Sequence, residues 1–118
     1  MAHAAELDAN NVVLRVIVVS NDLEPNVEQW CEQTYGGTWR QTSYNANFRG
    51  HYAGVGYTFR PNLGEDGVFL PPQPYPSWRL NMMTFTWKAP APMPQDGGMY
   101  VWDEDALSWR DVTPQENP

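Results

Sequence analysis

One cysteine, Cys31, is all the thiol the chain carries, so no intrachain disulfide can form and no thiolate zinc cluster can be assembled. The redox compartment is therefore left open. Positive charge is also scarce: 7 Lys and Arg stand against 14 Asp and Glu, a formal net charge of -7. Nucleic-acid binding without sequence preference rests on clustered positive charge, and this balance argues against it, as it does against an anionic membrane surface. No apolar run approaches the ~18 residues of a membrane span. Met1 to Ala5 lacks the basic and long apolar regions of a secretory signal, so synthesis in the cytoplasm is expected.

Catalytic groups are sparse too. His3 and His51 are the two histidines, and neither lies beside a nucleophile in a recognisable motif. Cys31 falls on the apolar side of an expected helix and reads as a small buried hydrophobe rather than a reactive thiol. Glu65-Asp66 and Asp103-Glu104-Asp105 are adjacent in sequence at expected hairpin tips, where strand geometry points neighbours apart and water solvates them. The facing carboxylates of a glycosidase need a fixed separation across a cleft instead. A hydrolase acting through these acids is the weakest reading. The twelve-residue calcium loop is absent around Asp103 to Asp105, and Gly54-Val55-Gly56 precedes strand-like residues rather than a helix, unlike a phosphate-binding loop. No catalytic residue, cofactor or metal ligand is assigned.

What the chain does have suits a mainly β, α+β fold: a small antiparallel β domain of hairpins with one short N-terminal helix and proline-rich connectors. With 118 residues, one domain over 1–112 is expected, followed by a flexible tail, 113–118, that lacks apolar anchors. The β-branched run Val12 to Val19 reads as an extended, largely buried strand. His3 to Leu7 reads as its hairpin partner across Asp8-Ala9-Asn10-Asn11, residues that tolerate a positive φ. Glu24-Pro25 reads as a helix start. Leu23, Val27, Trp30, Cys31 and Thr34 then fall on one side, and Gly36-Gly37 ends the helix. Beyond it, Thr38 to Tyr44 and Tyr52 to Phe59 have strand composition. Gly50, Gly54 and Gly56 mark bulges or close approaches.

Three aromatic arms follow. Tyr57-Thr58-Phe59 with Phe69, Trp78-Arg79-Leu80 with Phe85-Thr86-Trp87, and Tyr100-Val101-Trp102 with Ser108-Trp109-Arg110 each flank a polar turn. Alternation puts their rings on a common face, so three hairpins whose cross-strand aromatic pairs replace a larger core are expected. Their spacing is unequal, which is not a regular repeat. Pro71-Pro72-Gln73-Pro74-Tyr75-Pro76 and Pro90-Ala91-Pro92-Met93-Pro94 are stiff connectors that can strap neighbouring elements or subunits. Aromatic residues make up 14% of the chain. Because the core after residue 27 is poor in aliphatics, most rings are expected inside. Pro71, Pro72, Tyr75, Trp78, Trp87, Trp102 and Trp109 are the candidate partner-binding residues, since interfaces enrich Trp, Tyr and Arg, and Lys88 is the one lysine among the basic residues.

Gly36-Gly37-Thr38-Trp39-Arg40-Gln41-Thr42-Ser43-Tyr44-Asn45 with Phe48-Arg49, then Tyr52-Ala53-Gly54-Val55-Gly56-Tyr57-Thr58-Phe59, resembles a family of small proteins of marine tailed phages, above all cyanophages. Phe69 through Trp78, Tyr100-Val101-Trp102-Asp103-Glu104 with Trp109, and Ala5-Glu6-Leu7-Asp8 with Asn11-Val12-Val13 carry the same likeness along nearly the whole chain. The family pattern differs by more residues before the helix and by a basic-polar pair in place of Gly50-His51. The resemblance implies a non-enzymatic virion structural or accessory protein. Within that class, capsid decoration or cementing through neighbouring coat subunits is the first expectation. A carbohydrate- or receptor-binding module of a tail fibre is the alternative. The expected partners are other virion proteins of capsid or tail, with self-association open, no nucleic acid, no membrane, and carbohydrate only under the alternative.

Overall fold

Residues 1–115 are described by a computed structural model, and residues 116–118, the end of the expected tail, lie outside the described residues. Contacts divide the chain into two compact units: residues 1–72 with 83–86, and residues 73–82 with those from 87 onward. The fold is the small, mostly antiparallel β-hairpin architecture with one helix that the residue pattern predicts.

In the first unit, β1 (Ala2–Leu7) lies between β2 (Val13–Val19) and β3 (Thr38–Thr42), antiparallel to both. The Asp8 carboxylate closes the β1–β2 turn by accepting the Asn10 and Val12 N–H groups at 2.8 and 3.0 Å, and Asn11 takes a φ of 64° there. The ladder slips between Glu6↔Arg15 and Leu7↔Val13, a bulge that leaves Leu14 unpaired. Residues of one strand alternate between faces, and β1 is buried on both. Ala2 and Ala4 meet Val19, Trp39 and the helix residues Val27 and Cys31. Ala5 and Leu7 meet Val13, Ala53, Phe59 and Phe69.

Three local expectations are corrected. The helix α1 is Val27–Tyr35, with Asn26 at the N-cap position making no side-chain cap bond, and Pro25 sits before it, after a 3-10 turn over Asn21–Leu23. Gly36 ends α1 as predicted, its N–H donating to Glu32 O at a φ of 74°, a conformation that costs glycine nothing. β2 is an edge strand rather than largely buried: Val13 and Val19 are covered, while Leu14 and Val18 are about half exposed, at 51% and 52%. Tyr52 to Tyr57 is irregular, because Gly54 accepts from Tyr57 N in a tight turn that prevents a continuous strand. Strand structure resumes as β4 (Thr58–Arg60), paired with β5 (Val68–Leu70). There Phe59 and Phe69 face each other with ring centroids 5.0 Å apart. Gly67, at a φ of 85°, lies against the Phe59 ring, where a side chain would not fit.

Arg49 ties this unit together from a loop. Its Nη1 donates to Glu28 Oε2 at 2.7 Å and to Gln41 O at 2.8 Å, its Nε donates to Asp66 O at 3.0 Å, and its guanidinium lies 5.3 Å from the Phe59 ring centre.

The second unit is built from brief ribbons. β6 (Arg79–Asn81) pairs with β7 (Thr86–Lys88), and β8 (Tyr100–Asp103) pairs with β9 (Ser108–Asp111). The contact division assigns the β6–β7 tip, 83–86, to the first unit. The two hairpins share one loop design: the residue just before the second strand, Phe85 in one and Leu107 in the other, takes a left-handed φ of 56° or 51°. Thr84-Phe85-Thr86-Trp87-Lys88 and Ala106-Leu107-Ser108-Trp109-Arg110 thus occupy equivalent places. Thr113, within the expected tail, is fixed beside β9, accepting the Met99 N–H at 2.8 Å through its hydroxyl.

Candidate functional site

Alternation along β8 and β9 places Trp102 and Trp109 directly opposite each other, with ring centroids 5.3 Å apart and planes at 72°. Trp78, just ahead of β6, meets both edge-on, at 6.0 and 6.1 Å, and Tyr75 packs 5.7 Å from Trp78. Four candidate residues, Tyr75, Trp78, Trp102 and Trp109, therefore form one aromatic cluster. Trp102 is buried, Trp78 and Trp109 are half-buried, and Tyr75 is exposed. Edge-to-face packing uses the quadrupoles of the rings, so this is a small core with an open flank. Trp87 is half-buried on β7 beside Lys88. Pro71 and Pro72 follow β5 and belong to the first unit.

The open flank is a groove of about 390 Å³ lined by Trp78, Trp109, Lys88 and the strap Ala89 to Met93. The strap is held by the Trp109 indole, which donates to Ala91 O at 2.8 Å. Proline at 90 and 92 keeps it extended with no N–H to offer at those positions. The walls are thus apolar with one cation at the rim. Trp78 Nε1, by contrast, is buried without a hydrogen-bond partner, and such an indole N–H normally finds an acceptor.

Glu104, predicted to be solvated at a hairpin tip, instead holds the cluster from below. Its carboxylate accepts the Trp102 indole N–H at 2.8 Å, the Ser77 hydroxyl at 2.7 Å and the Ser77 N–H at 3.1 Å. The Trp102 bond, then those from Ser77, hold its carboxyl below the ordinary 4.5. Reading the acid as part of a charged turn hid this role. The available signal was its place two residues after a cluster tryptophan.

At the far end of β8 and β9, a hollow of about 730 Å³ is lined by Asp96, Tyr100, Asp111 and Thr113. Asp96 accepts the Tyr100 hydroxyl at 2.7 Å and the Gly98 N–H at 2.9 Å, and the Tyr100 bond is the main reason its carboxyl is lowered. The same bond pushes the Tyr100 phenol up to about 12. Asp111 is lowered by its bonds to Thr113. At neutral pH this hollow presents two carboxylates and a protonated phenol.

The other titratable groups singled out in the sequence are dispersed. His3 packs against the Tyr44 and Tyr52 rings at 5.7 and 5.5 Å, and His51 Nε2 lies 2.7 Å from Phe85 O. Glu65 and Asp66 are exposed. Cys31 is fully covered, and burial pushes its thiol up. Among the described residues no three His, Cys, Asp or Glu side chains are grouped to hold a metal ion, and no helix is long and apolar enough to cross a membrane. Comparison with protein-family models, curated proteins and solved structures finds no match.

Proposed function

We propose that the chain is a non-enzymatic phage virion protein that decorates or cements a capsid by binding neighbouring coat subunits. The observation that carries this reading is the groove walled by Trp78, Trp109 and the proline strap. It combines rigid aromatic anchors, a strap that gains little entropy when freed, and one rim cation, the ingredients of an interface hot spot. The resemblance to small proteins of marine tailed phages supplies the virion setting. Use of the indole faces against one another favours attachment over the alternative in which the tryptophans serve as sugar platforms on a tail fibre.

Purified protein should cosediment stoichiometrically with capsids that lack it. Trp109→Ala should weaken that binding about 30-fold, the loss of an anchor contributing about 2 kcal/mol, while circular dichroism verifies the fold. No binding to capsids, or location only at the tail tip in intact particles, overturns the reading. Acrylamide quenching that reveals freely exposed indoles protected by host polysaccharide would favour the tail-fibre alternative.

A further inference from the structure

The two edges of the three-stranded sheet are treated differently. On β3 the outer groups are occupied by side chains: the Glu28 carboxylate accepts the Gln41 N–H at 2.7 Å, and Arg49 donates to Gln41 O at 2.8 Å. On β2 only the beginning is closed, where Val13 N donates to Tyr57 O at 2.7 Å and Val13 O accepts from Gly56 N at 2.9 Å. From Leu14 to Val19, among the described residues, nothing pairs with the outer side of the strand. A β-branched edge is an open template for another strand unless charge or proline guards it. This stretch has no proline, and its one charge is turned away. Arg15 pairs with Glu6 at 2.8 Å and lies over the Tyr35 and Trp39 rings at 5.3 and 5.1 Å.

We infer that this edge joins a second copy of the chain, β2 against β2 in antiparallel register about Val16, making one continuous six-stranded sheet. Charge argues for this occupant. The chain is net -7, yet no acidic residue lies between Asp8 and Asp22, and Arg15 is neutralised within its own copy, so two such edges meet without like-charge contact. Symmetry then fixes the register. A two-fold axis perpendicular to the sheet keeps each face on its own side, so the axis passes through a residue rather than between two. An axis at Arg15 would set two guanidinium side chains together, and one at Ile17 would leave Leu14 opposite polar Ser20. The axis at Val16 sets half-exposed Leu14 opposite half-exposed Val18 on both sides and ends the ladder where Val13 is already bonded. This inference does not depend on what else the protein attaches to.

Sedimentation velocity of the full chain from ~1 to ~500 µM should reveal a concentration-dependent dimer. Val18→Lys should weaken it by setting an ammonium against Leu14 of the second copy. Leu14→Lys with Val18→Lys should weaken it further, at least about ten-fold with unchanged circular dichroism, since both residues are half exposed and in the double variant like charges oppose across the seam. Val16→Cys should give a disulfide-linked dimer under oxidation, and Ile17→Cys should not. A monomer across the whole range, a dimer that the lysines leave intact, or cross-linking through position 17 in preference to 16 overturns the inference.

Discussion

The first unit is held by two layers against a sheet, in which alanines and aliphatic residues surround the rings of Trp39, Phe59 and Phe69, the second by a knot of indoles between ribbons. Of the buried apolar residues among those described, Trp102 alone belongs to the second unit. Fewer buried residues leave each remaining ring with a larger share of the stabilisation, because burial scales with area and a tryptophan carries the most of it. Stability is thus distributed in one unit and concentrated in the other.

The largest test of that contrast is Trp102→Ala against Phe69→Ala. Each removes a large buried ring, a loss of about 3–5 kcal/mol. In the first unit the helix-side cluster remains, so β1 amides should keep much of their protection. In the second, β8 and β9 amides should exchange freely and the near-ultraviolet dichroism of the tryptophans should collapse. Retained protection in β8 and β9 would break the comparison.

A smaller effect comes from pH. The carboxyls of Asp96, Glu104 and Asp111 are all lowered in the native state, so their contribution is present above their ordinary values, 3.8 for Asp and 4.5 for Glu, and is withdrawn as pH falls through the native ones. Tyr100 works in the other direction. Raised from 10 to about 12, it contributes fully below 10, and its contribution disappears as pH climbs toward 12. Absorbance titration should find one phenol ionising late, and Asp96→Asn should bring it back toward the ordinary value. Glu104→Gln should remove part of the acid sensitivity of the tryptophan dichroism. Both readouts belong to the second unit, and an equal acid response of β1 amides would blur the distinction.

The smallest effect has the opposite sign. Leu107 sits at a φ of 51°, a region that costs a branched residue about 1 kcal/mol, so Leu107→Gly should raise the urea midpoint by about 0.5 kcal/mol equivalent after the entropy of glycine is subtracted. No gain would mean that the exposed Leu107 side chain offsets its own strain.

Local chemistry made much of this legible. Asn11 at a positive φ, Gly36 ending the helix, and the facing pairs Phe59–Phe69 and Trp102–Trp109 follow from backbone sterics and from period-two alternation, which act within a few residues. What escaped depends on distance in space. Val12 to Val19 looks largely buried because β-branching registers strand propensity, not position in a sheet, and only the strand order makes it an edge. Tyr52 to Tyr57 has the side chains of a strand, but the turn at Gly54 prevails over them. In the site, the tryptophans could be named from composition, whereas the tie of Glu104 to Ser77 could not, since Ser77 precedes a different ribbon. Arg49, which links Glu28, Gln41 and Asp66, gave no signal beyond being an arginine in a loop.

The alanines of β1 have a quieter consequence. Ala4 and Ala5 point to opposite sides of the sheet yet are chemically identical, so sliding the strand by one step would exchange like for like at its centre, and the hydrophobicity of these two residues could not reject the error. The buried Leu7 beside charged Glu6, the unpaired Leu14 and the Glu6–Arg15 contact break that degeneracy from the end of the strand: they act as a key cut for one alignment, and a variant that straightened the bulge would leave Leu7 to carry more of the selection.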